Sequence, residues 1–285
     1  MKILKTLAIC LLSSISFSSL AQQNESLLWE VSGNNLEKPS YVFGTIHMIC
    51  EDDYIMTETI SNTLKNVDAF YAEINFADPS NALIMQQMML SETPLSKRLS
   101  ADKYAKLKTL LNDVVELDIN QFENFNDSAI ASMITFKSFP CTDFKMYEME
   151  LLQIAVAGNK ELGGLETAAQ QMKTLSKSLT MDAVFEMLNE LKTKGYESTT
   201  EMVNLYKTQN VSELYNFMKK SSYMTDEVYN EMLTKRNHNW IEQMPKIMQD
   251  KSVFFAVGAA HLGGDNGVIK LLREAGYSVN PVNIN

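Results

Sequence analysis

Two segments far apart in this sequence share one form: an apolar, β-prone run that ends in glycine, then two residues and a histidine. The first is "YVFGTIH", residues 41–47, and the second is "VFFAVGAAH", residues 253–261. The chain has only three histidines, and this form uses two of them. Apolar β-prone runs bounded by loop residues predict strands. The repetition therefore predicts an internal structural repeat with a histidine beyond each strand.

The surroundings of both segments follow the same order of strand, loop, helix and strand. After the first segment, residues 54–65 are helical by pattern and residues 68–76 are β-prone. After the second, residues 265–276 are helical by pattern and residues 277–284 are β-prone. Residues 27–47 also predict a β-hairpin. This alternation favours βαβ units with parallel pairing. We predict an α/β fold in which two βαβ-type repeats, about 27–78 and about 250–285, form a mixed central sheet.

A large helical insertion is predicted between the repeats, over residues of about 79–246. One β-prone segment interrupts it: "KELGGLE", residues 160–166, lies between helical patterns at 146–157 and 167–178. The insertion is rich in methionine, which at helical spacing predicts core packing. An adaptable binding groove is the alternative interpretation of the same pattern.

The N-terminal 21 residues have the form of a secretory signal peptide. Lys2 and Lys5 precede a short apolar run, and the small residues of "SLA" end it at Ala21. The apolar run is too short to span a bilayer, and no later run of about 18 apolar residues predicts a membrane segment. We therefore expect an exported protein, 22–285, that is periplasmic or extracellular and has no stable membrane insertion.

The formal charge is −10, from 35 acidic and 25 basic residues. Nucleic-acid binding depends on neutralising phosphates with lysine and arginine, and the sequence has no basic cluster for this purpose. Nucleic acid is therefore excluded as a partner, and a peptide or small-molecule substrate is expected.

Two cysteines, Cys50 and Cys141, remain in the exported chain. In an oxidising compartment they can form one disulfide, and two buried free thiols are the alternative. Cys50 lies three residues after His47, so a catalytic thiol is a further interpretation. The sequence leaves these alternatives open.

Chemically active side chains stand at the ends of four predicted strands: His47, Glu73, Glu166 and His261. In an open parallel sheet the carboxyl ends of the strands meet at one edge, where ligands bind. Two imidazoles and a carboxylate with an open position are typical of a catalytic divalent-metal site. Such a metal lowers the pKa of bound water, which suits hydrolysis.

The glycine three residues before each histidine also has a physical role. Without a Cβ atom, Gly44 and Gly258 allow a neighbouring backbone or a substrate to come close to the strand end. A single Gly-x-x-His or strand-end glutamate is ordinary, and the functional interpretation depends on the repetition. His238, in "KRNHNW", lies in a predicted helix and is interpreted as a surface residue.

Two other kinds of site are excluded by their missing motifs. "GAAHLGGDNG" is glycine-rich and leads into a helix, but it lacks the Gly-Lys-Ser/Thr ending of a P-loop and the spacing of a dinucleotide fingerprint. The sequence contains no G-x-S-x-G nucleophile elbow.

Five segments in order, "YVFGTIHM", "AEIN", "GGLET", "KRNHNW" and "FFAVGAAHLGGDNGVIKLLREAGYSVNPV", resemble the TraB/GumN (TraB/PrgY/GumN) family, which includes the Tiki-like metalloproteases. The resemblance covers about residues 27–283. It implies an α/β core of two repeats with a helical insertion, akin to erythromycin esterase-like and ChaN-like domains. In Tiki proteins the two Gly-x-x-His motifs and an acidic residue are tied to metal-dependent peptide cleavage, and the resemblance implies the same chemistry for this chain.

The resemblance also implies roles for individual residues. His47, His261 and Glu73 are the expected metal ligands, and Glu73, Glu166 and Arg236 the expected catalytic residues. The remaining matched positions are Asn237 and Trp240, and Glu148 stands where related sequences often place aspartate.

The leading hypothesis is an exported metal-dependent hydrolase, a peptidase, that uses manganese, cobalt or zinc. A second hypothesis is a metal-free, esterase-like hydrolase in which His47 and Glu73 activate water directly. The third is a non-catalytic protein that sequesters a peptide or a signal, with the helical insertion supplying the groove.

Overall fold

A computed structural model describes residues 25–285. The strands are β1 Leu28–Ser32, β2 Ser40–Thr45, β3 Ile49–Cys50, β4 Ala69–Ala72, β5 Phe144–Lys145, β6 Glu161–Gly164, β7 Val253–Gly258 and β8 Ser278–Val282. The α-helices are α1 Glu58–Asn66, α2 Pro79–Met88, α3 Leu95–Arg98, α4 Ala101–Val115, α5 Asp127–Lys137, α6 Tyr147–Ala157, α7 Ala168–Ser178, α8 Met181–Lys194, α9 Glu197–Lys207, α10 Val211–Lys219, α11 Asp226–Tyr229, α12 Lys235–Ile241, α13 Met244–Met248 and α14 Val268–Glu274. A π-helical turn, Asn230–Thr234, connects α11 to α12, and a 3₁₀ turn, Ala259–His261, follows β7.

Six of these strands form the central sheet, in the order β6-β4-β7-β2-β1-β8. The pairs β6–β4, β4–β7 and β7–β2 are parallel, whereas β1 is antiparallel to both β2 and β8. The sheet is thus mixed, with helices between its strands in sequence, and the predicted α/β fold class is confirmed. Four parallel strands end at the same edge, where the predicted site residues follow them.

The C-terminal strand β7 lies in the middle of the parallel strands. Its residues Val253–Val257 are buried and alternate between two cores: Phe254 packs in the core on one face of the sheet and Phe255 in the core on the other. A strand apolar on both faces is stable only with helices on both sides. Consequently β2 and β4, expected to pair with each other, each pair with β7 instead.

The two sheet faces are covered by different helices. Tyr147 of α6 and Tyr206 of α9 are fully buried in one core, and Trp240 of α12 and Leu272 of α14 in the other. A third apolar cluster lies within the insertion, where α4, α5 and α8 pack together. The predicted strand at 160–166 is found as β6. The predicted limits of the repeats and the insertion remain predictions.

A disulfide joins Cys50 to Cys141, with their Cα atoms 5.9 Å apart. Beside it, β3 and β5 form a two-residue antiparallel ladder that the sequence does not predict, because pairs this short leave no periodic pattern. The alternative of two free thiols is thereby set aside. The link connects the segment just after His47 to the segment just before α6, which carries Glu148.

None of the helices within residues 25–285 combines the length and the apolar character that crossing a membrane requires. The predicted signal peptide, residues 1–21, lies outside the described residues.

Candidate functional site

The four predicted strand-end residues all lie at the carboxyl edge of the parallel strands. His47 follows β2 by two residues, Glu73 directly follows β4, Glu166 follows β6 by two residues, and His261 ends the 3₁₀ turn after β7. The structure brings Glu73, Glu166 and His261 together around one side chain, Arg236. His47 contacts a different partner, so the four residues form two groups.

Arg236 is the centre of the first group. Its Nη2 donates to Glu73 Oε2 and to Glu166 Oε1, each at 2.5 Å, and its Nε donates to Glu166 Oε1 at 3.1 Å. Its Nη1 lies 3.0 Å from His261 Nε2 and also donates to the Met232 carbonyl at 3.0 Å. The guanidinium is buried and packs over the Trp240 ring at 4.9 Å. One cation thus engages both carboxylates and one imidazole.

The helix that carries Arg236 begins directly after the π-helical turn. Turns of this kind are often found at functional sites, because they shift the side chains that follow by one position. Here the turn supplies the Met232 carbonyl to the guanidinium. The π-helical turn therefore contributes directly to the position of Arg236.

Two further donors complete the coordination of the carboxylates. The backbone N–H of Gly258 donates to Glu73 Oε1 at 2.8 Å. Gln171 Nε2 donates to Glu73 Oε2 at 2.8 Å and to Glu166 Oε1 at 3.1 Å. Gln171 lies in the first turns of α7, whose start is fixed by a capping box between Thr167 and Gln170. Sequence analysis missed Gln171, since a glutamine inside a helix carries no signal of its own.

The two carboxylates of this group have pKa values displaced in opposite directions. Burial pushes the pKa of Glu73 upward, but the Arg236 guanidinium and the nearby histidines outweigh it and hold that pKa well below its usual range. Burial raises the pKa of Glu166 despite Arg236, and the charge of Glu73 adds to the rise. Glu73 is the more firmly ionised of the two, because the charges of Arg236 and of the two histidines favour its anion, and the backbone hydrogen bond from Gly258 adds to their effect.

His261 is buried and held in one tautomer. Asn237 Nδ2 donates to the backbone carbonyls of His261 and Asn266, which orients the amide so that Asn237 Oδ1 faces His261 Nδ1 at 2.6 Å. Nδ1 therefore carries the proton, and Nε2 accepts from Arg236. Burial first, and then the Arg236 charge, lower the pKa of His261 to about 3. The imidazole is neutral at physiological pH.

His47 belongs to the second group. Its Nδ1 lies 2.8 Å from Glu148 Oε1, and the Thr45 hydroxyl donates to the same oxygen at 3.1 Å. The His47 side chain is 67% exposed, whereas that of Glu148 is only 7% exposed. The charge of Glu148 raises the pKa of His47 to about 9. The result is a histidine–carboxylate dyad whose Nε2 is accessible.

Gly44, three residues before His47, is required by the packing of this edge. A Cβ atom at residue 44 would lie 2.7 Å from the Leu262 side chain and 3.1 Å from the Cα atom of Ala259. The turn after β7 therefore packs directly on the end of β2, the close backbone approach expected from the sequence. Tyr206 of α9 donates to the Gly44 carbonyl at 3.0 Å and ties the insertion to the same point.

Both groups meet at a cavity of about 340 Å³ between the sheet edge and the insertion. His47, Glu73, Arg236 and His261 line one end of it, and helices α5, α8, α9 and α10 supply the other walls. Glu166 does not line the cavity and reaches it only through Arg236. His238, predicted to be a surface residue, is exposed and lies 3.3 Å from Asn266.

The donors of the first group are already engaged, which bears on the expected metal site. Arg236 occupies Glu73, Glu166 and the Nε2 lone pair of His261, and His47, in the second group, uses Nδ1 for Glu148 and keeps Nε2 accessible. Among residues 25–285, no group of three or more His, Cys, Asp and Glu side chains is arranged to hold a metal ion. The residues as they stand do not fit a metal, because a guanidinium takes its place.

A mixed sheet with a buried glutamate–arginine–histidine cluster at the ends of its parallel strands defines an α/β protein, and this is the edge at which open α/β sheets generally bind ligands. The chain belongs to the TraB/PrgY/gumN family, whose model matches residues 27–281.

Several relatives are metalloproteases by name. The chain is similar to Metalloprotease TIKI1 of Xenopus tropicalis, 26% identical over 90% of this chain and 61% of the relative. It is also similar to Metalloprotease TIKI2 of the same organism, 25% identical over 89% and 59%, and to Metalloprotease TIKI1 of Homo sapiens, 26% identical over 90% and 62%. The chain thus spans about three fifths of the length of these relatives. No solved structure matches it significantly.

Proposed function

We propose that this chain is a hydrolase that cleaves peptide bonds in the cavity at the sheet edge. The observation that carries the proposal is the juxtaposition of an accessible imidazole, backed by a buried carboxylate, with a buried guanidinium in one cavity. The names of the relatives support hydrolysis of peptides.

His47 is the acid–base group in this proposal. The unprotonated fraction of His47, which grows as the pH rises towards its pKa of about 9, takes a proton from the attacking water. The water oxygen bonds to the peptide carbon, and Glu148 stabilises the imidazolium that forms. The imidazolium then gives its proton to the amine as the carbon–nitrogen bond breaks. Glu73 orients the water, and Glu166 positions Arg236.

Arg236 stabilises the negative charge that develops on the carbonyl oxygen through its positive charge, since its N–H groups already donate to Glu73, Glu166, His261 and the Met232 carbonyl. A fixed cation in a site shielded from water contributes strongly to such stabilisation. The guanidinium is held by two carboxylates, so it is already in place before the substrate binds.

Two forms of this proposal differ in the metal. The metal-dependent form assigns His47, His261 and Glu73 as ligands of manganese, cobalt or zinc, and it requires Arg236 to release Glu73 and His261 first. The metal-free form keeps Arg236 where it is, and the observed hydrogen bonds favour this form.

We also propose that the protein is exported, as its first 21 residues predict. The disulfide between Cys50 and Cys141 supports this proposal, because disulfides persist mainly in oxidising compartments.

The test uses purified residues 22–285 and a peptide library, with products identified by mass spectrometry. We expect turnover that falls by about 100-fold or more in His47→Gln, the range typical of a lost acid–base group. His238→Gln is the matched control, since His238 is exposed and outside the cavity. Its activity should equal that of the unmodified protein.

Chelators and added manganese, cobalt or zinc separate the two forms. Turnover that survives chelation supports the metal-free form, and turnover restored only by a metal supports the other. Peptide binding without any product, with or without metal, overturns the hydrolase proposal and favours a sequestering protein.

A further inference from the structure

The cavity has two chemically different ends. His47, Glu73, Arg236 and His261 lie at the sheet end, together with Thr45, Ile46, Met48 and residues 258–260, and the rest of the lining comes from the helical insertion. Five methionines, from four elements and one loop, face this second part, which we call the methionine chamber; they are Met187 of α8, Met202 of α9, Met218 of α10, Met224 of the loop after α10 and Met232 of the π-helical turn. This lining is continuous with the proposed catalytic residues.

Glu190 is the charged side chain that residues 25–285 place in the lining of the methionine chamber, and it is already paired. Its Oε1 atom accepts from Lys194 Nζ at 3.2 Å and from Ser198 Oγ at 2.7 Å. Leu191, Phe217 and Leu233 add further apolar surface. An anion placed there would lose its hydration and meet the Glu190 carboxylate, and a cation would have to compete with Lys194 for that carboxylate.

The size and the flexibility of the lining limit what can enter. About 340 Å³ is near the lower end of the range for small-molecule sites, so the cavity holds a short segment rather than a folded chain. Methionine is unbranched and has three rotatable bonds, which lets it adapt to the shape of a flexible apolar group. The lining thus matches an extended apolar chain better than a branched or charged one.

We propose that the methionine chamber is the specificity subsite of the enzyme and takes a long, unbranched apolar group next to the carbonyl that is attacked. The proposal rests on the proposed hydrolase function for the identity of that carbonyl. Such a group can be a peptide side chain of the methionine or norleucine type or a short acyl chain, since both present the same chemistry to the lining.

The first experiment compares peptides that differ at one position beside the scissile bond. We expect kcat/KM for norleucine to exceed that for alanine by at least tenfold and that for lysine by more, because each methylene buried in an apolar pocket contributes about 10-fold or more. An octanoyl anilide in the same assay distinguishes an acyl chain from a side chain. Cleavage without any preference for the apolar group overturns the subsite and leaves the hydrolase function standing.

A binding experiment keeps the test independent of catalysis. N-phenyl-1-naphthylamine, a neutral apolar probe, should fluoresce in the cavity and be displaced at least tenfold more strongly by the norleucine peptide than by the lysine peptide. This result supports the subsite even if no peptide is cleaved, in which case only the hydrolase function fails. Equal displacement by both peptides overturns the subsite.

Variants locate the effect in the methionine chamber. Met218→Glu on α10 and, on a different wall, Met187→Glu on α8 should each reduce the norleucine preference at least tenfold and weaken probe binding. Met149→Glu is the matched control, because Met149 is 37% exposed on α6 and lies outside the cavity. Circular dichroism confirms folding of each variant, and unchanged preference in both folded chamber variants overturns the proposal.

Discussion

Arg236 is the residue on which the first group of the site depends. Its guanidinium and the carboxylates of Glu73 and Glu166 are each less than 10% exposed, so each charge is tolerated only because the others compensate it. Removing one partner of a buried ion pair costs about 3–5 kcal/mol, since an uncompensated charge remains. The group is therefore a source of fragility as well as of function.

Replacing Arg236 by methionine, which has a similar length, frees two carboxylates and the Nε2 atom of His261. We expect the Arg236→Met variant to melt at a lower temperature and to recover part of the loss when zinc, manganese or cobalt is added, because these donors suit a divalent cation. Differential scanning calorimetry with and without each metal measures both effects.

Lys235→Met is the control for Arg236→Met. It removes the adjacent positive charge of α12, which pairs with Glu231 at the surface and leaves the buried carboxylates intact. If metal stabilises the Arg236→Met variant no more than it stabilises this control and the unmodified protein, Arg236 does not occupy a latent cation site.

The dyad of His47 and Glu148 predicts a pH dependence with a definite sign. The folded pKa of His47, about 9, lies above the ordinary value of 6.5, so the pair stabilises the folded state fully below about pH 6.5 and loses this effect as the pH rises through 9. Because the ring is 67% exposed, solvent limits the effect to at most about 1 kcal/mol.

Thermal unfolding of Glu148→Gln tests this sign. The variant should melt below the unmodified protein at pH 6, and the gap should narrow by pH 10. Glu201→Gln on the exposed face of α9 is the control and should show no such narrowing. A gap that is the same at both pH values contradicts the charge interaction.

At the residue scale, strand-end position is the signal that located the site. His47, Glu73, Glu166 and His261 each follow a recognisable strand, and the geometry of parallel sheets brings strand ends to one edge. What the sequence does not contain is the division into two groups. Glu148, the partner of His47, comes from α6, and Gln171, which donates to Glu73 and Glu166, comes from α7. Both helices reach the edge through tertiary packing.

At the element scale, the disulfide and the β3–β5 ladder hold the segment after His47 against the segment before α6. The bond closes a loop with a sequence separation of 91 residues, and long loops lose much chain entropy on closure. We expect the Cys50→Ser/Cys141→Ser double variant to be less stable by about 2–4 kcal/mol. Urea unfolding monitored by fluorescence measures the difference.

Reduction of the unmodified protein provides the internal control for this prediction. A reductant should move its unfolding midpoint to that of the double variant and leave the midpoint of the double variant unchanged. A double variant as stable as the oxidised protein would mean that the ladder holds these segments without the bond.

Long elements are predictable from this sequence, and short ones are not. The helices α6 and α7 have helical patterns over eleven residues each, β7 is an uninterrupted apolar run, and all three appear within a residue or two of the predicted limits. The two-residue strands β3 and β5 are too short for a pattern, and they exist because the disulfide and the surrounding core hold them. The order of strands likewise depends on which faces are buried, and the sequence does not state this directly.

At the scale of the whole molecule, the C-terminal strands β7 and β8 pair with strands from the N-terminal part of the chain. Strand β7 lies between β2 and β4 and makes the only strand pairing within residues 25–285 that links β1 and β2 to β4 and β6. Strand β8 pairs with β1 at the opposite edge. The site depends on the same arrangement, because Gly258 and His261 reach Glu73 and Arg236 from the end of β7.

This topology predicts that the first 249 residues cannot fold without the last 36. A chain that ends at residue 249 leaves the facing edges of β2 and β4 unpaired and exposes the apolar surfaces that β7 covers on both faces. Unpaired inner edges and uncovered cores both favour unfolding or aggregation. We therefore expect residues 22–249 to lack near-ultraviolet circular dichroism and a cooperative thermal transition, and to be digested rapidly by trypsin. Co-expression with residues 250–285 should restore the near-ultraviolet circular dichroism, the cooperative transition and the resistance to trypsin, since only the covalent link is then missing. A cooperative transition in residues 22–249 alone would instead show that the first predicted repeat and the insertion fold independently of the second repeat.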